Sequence, residues 1–194
     1  GTLDFRGSLC SYYSKNKIDV SPQDIIVTAG ASEAISFTLS CICDVADEII
    51  IPEPFYANYN GFAAASNINV VPVHSLFEEQ FRLPSIPSIE AKINGKTKAI
   101  LICNPCNPTG YLYTQEEIEA LGDLALKHNI FLIVDEVYRE FIHDDVTEFY
   151  SVLQSEKLKE HAIMIDSVSK RYSLCGARVG CIVSKNKALI ATAL

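Results

Sequence analysis

The side chains of this chain that could do chemistry follow its predicted β-strands. Gly-Ala-Ser at residues 30–32 opens a helix after the first strand, and free amides at a helix start suit a phosphate. Asp135 ends a buried strand, where a carboxylate is costly unless a cation pairs with it. Lys170 follows the sixth predicted strand, and Arg178 directly precedes the seventh. Together these groups predict a site for an anionic, heteroaromatic ligand beside an amine that can react with an aldehyde.

Each of these features has a plain alternative when it is taken alone. Residues 30–32 could form a tight strand-to-helix turn, and a single lysine is most often a solvated charge. The loop at residues 104–110, Asn-Pro-Cys-Asn-Pro-Thr-Gly, could be an ordinary turn, but its prolines favour a rigid loop that presents Asn107. In open parallel sheets, ligands bind beyond the carboxyl ends of the strands, so the combination favours one site there.

Seven short β-rich runs alternate with amphipathic stretches, and these elements must position the site. Several runs are apolar at consecutive positions, which is typical of strands covered on both faces. The clearest helix covers residues 115–128: Thr114 and Glu117 form a capping box at its start, and Asn129 ends it. The alternation predicts an α/β fold with three layers, in which helices cover both faces of a mostly parallel seven-stranded sheet. The predicted strands are residues 25–29, 48–51, 69–73, 98–103, 130–135, 162–168 and 179–184.

The composition excludes several classes of protein. The chain has 194 residues, of which 48% are hydrophobic, so it can bury a core and is not intrinsically disordered. Its formal charge of −8 argues against sequence-independent binding to nucleic acid, which needs a cationic surface. The longest apolar segment, residues 34–43, is much shorter than the roughly 20 residues of a membrane span. No secretory leader is visible, and a cytoplasmic protein is expected.

The cysteines and histidines do not have the spacing of a metal site. Seven cysteines without a disulfide-like spacing indicate a reducing compartment. Cys103 and Cys106 form a C-x-x-C pair, but a zinc site would need two more ligands at a suitable spacing. The four histidines also lack metal-binding spacing and are expected at the surface: His74, His128, His143 and His161. Residues 77–87, which include two prolines, are predicted to be an irregular surface segment.

Five strings occur together in one order along nearly the whole chain. They are residues 28–32 (Thr-Ala-Gly-Ala-Ser), 54–56 (Pro-Phe-Tyr), 104–110, 135–138 (Asp-Glu-Val-Tyr) and 167–170 (Ser-Val-Ser-Lys) with Arg178. In these strings the chain resembles the large domain of class I/II aminotransferases, the aspartate-aminotransferase-like pyridoxal-phosphate enzymes of fold type I. Any one string is weak, but five in order are a specific match.

The resemblance implies a role for each matching residue. Lys170 would form a Schiff base with the aldehyde of pyridoxal 5'-phosphate and would later shuttle a proton. Asp135 would bind the pyridine nitrogen, which makes the ring an electron sink. Tyr138 and Asn107 would bind the phenolic oxygen, and Tyr56 would stack on the ring. The remaining residues would hold the phosphate: Gly30, Ala31, Ser32, Ser167 and Arg178.

The resemblance also implies what this chain lacks. Residues 1–194 would be a cofactor-binding large domain, truncated at both ends. The family's arginine for the substrate carboxylate lies in a C-terminal small domain, and its tyrosine for the neighbouring subunit's phosphate would precede Gly1. The resemblance therefore implies a homodimer that acts on an amino acid and a 2-oxo acid. This chain by itself would bind cofactor weakly and transaminate poorly.

Alternatives remain open. A carbon–sulfur lyase or a cyclopropane-forming synthase on the same fold would share all five strings. A regulatory or interaction domain without catalysis would also share the fold, but the intact Lys170, Asp135 and Asn107 argue against it. The sequence has no G-x-S-x-G elbow of a serine hydrolase and no G-x-G-x-x-G of a dinucleotide-binding fold.

Overall fold

Seven strands form one sheet in the computed structural model, which describes residues 1–142 and 148–194. The strands are β1 (Ile25–Thr28), β2 (Glu48–Glu53), β3 (Asn69–His74), β4 (Thr97–Cys103), β5 (Phe131–Asp135), β6 (Ala162–Ser167) and β7 (Gly180–Val183). Their order across the sheet is β1-β7-β6-β5-β4-β2-β3. β7 runs antiparallel to both of its neighbours, and the other pairs are parallel. The carboxyl ends of six strands and the start of β7 therefore lie at one edge.

Helices cover both faces of the sheet. They are α1 (Leu3–Lys15), α2 (Ala31–Ile42), α3 (Asn58–Ala65), α4 (Ile86–Glu90), α5 (Gln115–His128), α6 (Val168–Arg171) and α7 (Lys187–Ala193). One apolar core joins α1, α4 and α5 to one face, and a second joins α2, α3 and α7 to the other. The strands β4, β5, β6 and β7 are buried on both faces because both layers are apolar, whereas the edge strand β3 is largely exposed. This arrangement confirms the predicted three-layer α/β fold with a mostly parallel sheet.

The predicted elements differ from the observed ones mainly at their ends. The predicted strand at 162–168 ends at Ser167, because the Ser167 side chain accepts a hydrogen bond from the Ser169 amide and caps α6. The segment at 77–87 is not wholly irregular, since Phe77–Glu79 is a 3₁₀ turn and α4 begins at Ile86. The helix over residues 115–128 is confirmed with its capping box, and Asn129 ends it in the left-handed conformation.

Three of the four histidines and all seven cysteines lie among the described residues. His74 is exposed and His128 and His161 are half-buried, while His143 lies outside the described residues. All seven cysteines are free thiols. Within residues 1–142 and 148–194, no three His, Cys, Asp or Glu side chains are grouped so that they could hold a metal ion. None of the helices described there is both long enough and apolar enough to cross a membrane.

Gly180 lets β7 approach the start of α2, and it gives a test of this packing. A Cβ atom at Gly180 would lie 2.5 Å from the carbonyl carbon of Gly30 and 2.6 Å from the amide nitrogen of Ala31. Both are backbone atoms, so Gly180→Ala should lower the free energy of unfolding by about 1–3 kcal/mol in urea titrations. Gly61→Ala is the matched control, because that helical position is open and alanine should stabilise it. Equal stability of the two variants would contradict the tight approach.

Candidate active site

A cleft opens where β4, β5 and β6 end, at the edge of the sheet that the sequence predicts. The last residue of each strand lines it: Cys103, Asp135 and Ser167. The cleft contains about 740 Å³ of space, including the part open to solvent. Nine of the ten residues predicted for the site line it, namely Ala31, Ser32, Tyr56, Asn107, Asp135, Tyr138, Ser167, Lys170 and Arg178. The tenth, Gly30, lies directly beside it as the N-cap of α2.

Asp135 is a buried carboxylate at the inner end of the cleft. Tyr59 donates a hydrogen bond from its hydroxyl to Oδ2 at 2.8 Å, and the amide of Val137 donates to Oδ1 at 3.2 Å. Burial raises the pKa of Asp135 to about 6, although these two hydrogen bonds favour the ionised form. The carboxylate would therefore gain most from a ligand that brings a cation into the cleft, and a protonated ring nitrogen is such a group.

Lys170 faces the same cleft from α6. Its side chain is half-buried, and Nζ lies 5.6 Å from the centre of the Tyr138 ring. The Tyr138 hydroxyl accepts a hydrogen bond from Nδ2 of Asn107 at 3.4 Å. The fold thus brings Lys170, Tyr138 and Asn107 together from three separate segments, with an amine available at the wall of the cleft.

The start of α2 and Arg178 form a cradle suited to an anion. Gly30 has φ +86° and leaves the first amides of α2 without a side-chain cap. Arg178 contacts this turn, since Nη2 donates to the carbonyl of Ala29 at 3.2 Å. A Cβ atom at Gly30 would contact the guanidinium of Arg178, and the positive φ of this residue favours glycine. Helix-start amides and a guanidinium together attract a phosphate group.

Aromatic side chains form another wall of the cleft. The Tyr56 ring contacts the Tyr59 ring edge-on, with ring centres 5.4 Å apart. The Tyr56 hydroxyl accepts a hydrogen bond from Nδ2 of Asn58 at 2.7 Å, which orients the ring. Aromatic walls with a few placed polar groups are typical of sites for flat heterocyclic ligands. Stacking of Tyr56 on a bound ring stays a prediction.

Tyr59 and Ser169 also line the cleft, although neither was predicted as a site residue. Tyr59 is fully buried in α3, where only the fold brings its hydroxyl to Asp135. Ser169 has Oγ 2.7 Å from Oγ of Ser167, beside the cradle. The local sequence does contain a signal for Ser169, because serines stand one and three positions before Lys170 in Ser-Val-Ser-Lys. Nothing in the local sequence singles out Tyr59.

The Tyr59 hydroxyl should stabilise the charged form of Asp135. Tyr59→Phe removes that donor and keeps the ring, so the pKa of Asp135 should rise further. A hydrogen bond to a charged group contributes about 1.5–3 kcal/mol. Binding of pyridoxal phosphate, the cofactor that the sequence resemblance implies, should therefore weaken by about 10- to 100-fold in fluorescence titrations. The control is Tyr150→Phe. Tyr150 lies far from Tyr59 in the sequence, and its hydroxyl also donates a hydrogen bond to a carboxylate. Equal affinity of the Tyr59 variant and the control would contradict this role.

The sequence of this chain is similar to known aminotransferases. The family model for aminotransferase class I and II matches residues 1–194. Aspartate aminotransferase from Thermotoga maritima is 37% identical over 180 residues, which are 92% of this chain and 46% of that protein. Aspartate aminotransferase from Bacillus subtilis is 34% identical over 181 residues, which are 93% of this chain and 46% of that protein.

Solved structures share the fold over the whole chain. The crystal structure of aspartate aminotransferase from Thermotoga maritima has a TM-score of 0.92 at 33% identity and covers 100% of this chain and 51% of that one. Aromatic aminotransferase from Pyrococcus horikoshii OT3 has a TM-score of 0.92 at 29% identity, with coverages of 100% and 52%. The chain thus spans about half the length of these relatives. By its sequence and its fold, this chain belongs to the class I and II aminotransferase family, which is a family of fold type I pyridoxal-phosphate enzymes.

Proposed function

We propose that the protein is a pyridoxal-phosphate-dependent aminotransferase, which moves an amino group from an amino acid to a 2-oxo acid. The observation that carries this proposal is the pairing of Lys170 and Asp135 in one cleft, with an anion cradle beside them. A reactive amine, a buried acid and a phosphate site are the three protein groups that this cofactor needs. The family membership supports the same chemistry.

The residues of the cleft fit the cofactor group by group. The amides of Ala31 and Ser32, the hydroxyl of Ser167 and the guanidinium of Arg178 would hold the phosphate. Asp135 would bind the protonated ring nitrogen. This contact would pair a buried carboxylate whose hydrogen-bond donors among the described residues, Tyr59 and the amide of Val137, are both uncharged.

Two further polar groups and one aromatic ring would orient the rest of the cofactor. Asn107 and Tyr138, which already contact each other, would donate hydrogen bonds to the phenolic oxygen. Tyr56 would cover one face of the ring. A cofactor held at its phosphate, ring nitrogen and phenolic oxygen cannot rotate, so its aldehyde carbon would stay beside Lys170.

Lys170 would have two tasks. Its amine would hold the cofactor at the aldehyde carbon until an amino acid takes its place, and Nζ would then move the proton of the substrate's α-carbon. Pyridoxal phosphate supplies an aldehyde that captures amines and a ring that accepts an electron pair. In the first half-reaction the amino acid would exchange its amino group for a carbonyl oxygen and leave as a 2-oxo acid. In the second, another 2-oxo acid would exchange its carbonyl oxygen for that amino group and leave as an amino acid.

The substrates and the assembly are also part of the proposal. Relatives named aspartate and aromatic aminotransferase favour amino acids of those two classes as the first donors to test. We propose a homodimer, in which a second copy of the protein would complete the site.

A panel of amino donors with 2-oxoglutarate tests this function on the full-length protein. We expect amino-group transfer that depends on pyridoxal phosphate and produces glutamate together with the 2-oxo acid of the donor. Release of ammonia or a thiol without glutamate would instead identify a lyase. No reaction with any donor, despite bound cofactor, would count against the proposal.

A further inference from the structure

A buried cluster of charges lies behind the cleft, on the opposite face of the sheet. Asp166 precedes Ser167 in β6, and neighbouring strand residues point to opposite faces. Ser167 lines the cleft, whereas Asp166 faces α1, where the Tyr13 hydroxyl donates a hydrogen bond to Oδ2 at 2.8 Å. Only 1% of Asp166 is exposed. The carboxylate therefore cannot touch a ligand in the cleft.

Asp166 holds the helix of Lys170 at both ends. At its start, the backbone amide of Ser167 donates to Oδ1 of Asp166 at 2.7 Å. At its end, Nη2 of Arg171 donates to both carboxylate oxygens, at 2.9 and 2.8 Å. A helix of four residues cannot persist by itself, because nucleation costs more than one turn returns. The position of α6 therefore depends on these contacts.

The same carboxylate is connected to the segment after Asp135. Arg139 approaches Oδ2 of Asp166 with Nη1 at 3.4 Å and donates from Nη2 to Oε2 of Glu136 at 2.6 Å. Glu136 is fully buried and follows Asp135 directly, and the amide of Val152 donates to its other oxygen at 3.0 Å. A chain of ion pairs thus joins the base of Lys170 to the base of Asp135.

The four buried charges of this cluster balance one another. Two carboxylates, Asp166 and Glu136, face two guanidiniums, Arg139 and Arg171. Among the described residues, the hydroxyls of Tyr12, Tyr13 and Ser151 also contact the cluster. At its exposed rim, the half-exposed carboxylate of Glu140 lies 3.5 Å from Nε of Arg171. A buried, balanced network with several hydrogen bonds is rigid, because breaking any pair leaves an uncompensated charge.

We propose that Glu136, Arg139, Asp166 and Arg171 form a positioning clamp, which fixes the Lys170 amine relative to the Asp135 carboxylate from behind the sheet. This role rests on the proposed function, since it matters only if both groups hold the same cofactor. These four are positioning residues, because they act through α6 and through the end of β5. Misplacing a reacting group by about 1 Å can cost about 100-fold in rate. Loss of the contacts that position Lys170 and Asp135 should therefore lower the rate strongly.

Two mild variants test the clamp in the full-length protein. Arg171→Lys keeps the charge but loses the fork that reaches both oxygens of Asp166, and Tyr13→Phe removes one hydroxyl. Arg82→Lys is the matched control on the exposed surface. For each protein, borohydride reduction and peptide mapping locate the cofactor, steady-state kinetics give kcat and KM, and a pH titration of the visible absorption of the bound cofactor gives its midpoint.

We expect cofactor on Lys170 in every protein. In Arg171→Lys, kcat should fall by about 10- to 100-fold while KM changes less than about threefold, and the absorption midpoint should shift by about half a pH unit or more. Tyr13→Phe should change the same quantities in the same direction by less. Wild-type kcat and midpoint in both folded variants would overturn the clamp, as would unfolding of both, which would make the cluster a stability element only. Cofactor missing from Lys170 in the wild type would instead overturn the proposed function.

Discussion

Lys170→Ala is expected to abolish cofactor attachment and amino-group transfer. Alanine removes the only side-chain atom that could join the cofactor to α6, and it removes the group proposed to move the α-carbon proton. Proton transfer by a positioned side chain contributes about 10²- to 10⁴-fold, so the transfer rate should fall at least that far. The visible absorption of the protein–cofactor adduct should disappear, and a spectrum recorded with pyridoxal phosphate measures this loss directly.

The control for Lys170 is another lysine outside the cleft. Lys92→Ala removes an exposed amine and should leave both the spectrum and the transfer rate unchanged. A Lys170→Ala protein that keeps the absorption band would mean that a different lysine carries the cofactor. In that case the assignment of the cleft would be wrong.

Asp135→Asn is expected to give the second largest loss. Asparagine has the same shape but no charge, so the protonated ring nitrogen would lose its ion-pair partner in a buried site. Removing one partner of a buried ion pair costs about 3–5 kcal/mol, which corresponds to a fall of about 10²- to 5 × 10³-fold in kcat/KM. Asp123→Asn, at an exposed position of α5, is the matched control. A loss of less than tenfold would contradict the proposed contact.

The same variant should have the opposite effect on the cofactor-free protein. The pKa of Asp135 is raised to about 6 by burial, above its ordinary value near 4, so the folded state binds the proton more tightly than the unfolded chain. The free energy of unfolding should therefore fall as pH rises from about 4 to about 6. At pH 7, Asp135→Asn should stabilise the cofactor-free protein by about 2–3 kcal/mol in urea titrations, with little difference at pH 4. Equal effects at both pH values would contradict the raised pKa.

Much of the fold could be predicted from the sequence because its signals are local. Consecutive apolar residues indicate strands that are covered on both faces, and the capping box at Thr114 marks the start of α5. The predicted end of β6 was one residue late. Val168 is apolar and β-branched and continues the strand pattern, but the Ser167 side chain caps a helix there. The tertiary contacts of Ser167 decide whether strand propensity or helix capping determines the backbone conformation at this position.

The candidate site could be predicted only where its residues follow strand ends. Parallel strands bring Cys103, Asp135 and Ser167 to one edge, so residues near those positions could be grouped before the fold was known. The reversed direction of β7 places Arg178 at the same edge, just before Gly180. Tyr59 and the positioning clamp could not be predicted in this way. Their contacts join residues 76 positions apart, between Tyr59 and Asp135, and 27 positions apart, between Arg139 and Asp166.

A crystal structure of the full-length protein with pyridoxal phosphate tests the central claim most directly. We expect continuous density from Nζ of Lys170 to the cofactor, with the ring nitrogen within about 3 Å of a carboxylate oxygen of Asp135. The phosphate should contact the first amides of α2 and the guanidinium of Arg178. A cofactor attached to another lysine, or one whose ring nitrogen lies away from Asp135, would contradict the proposed site.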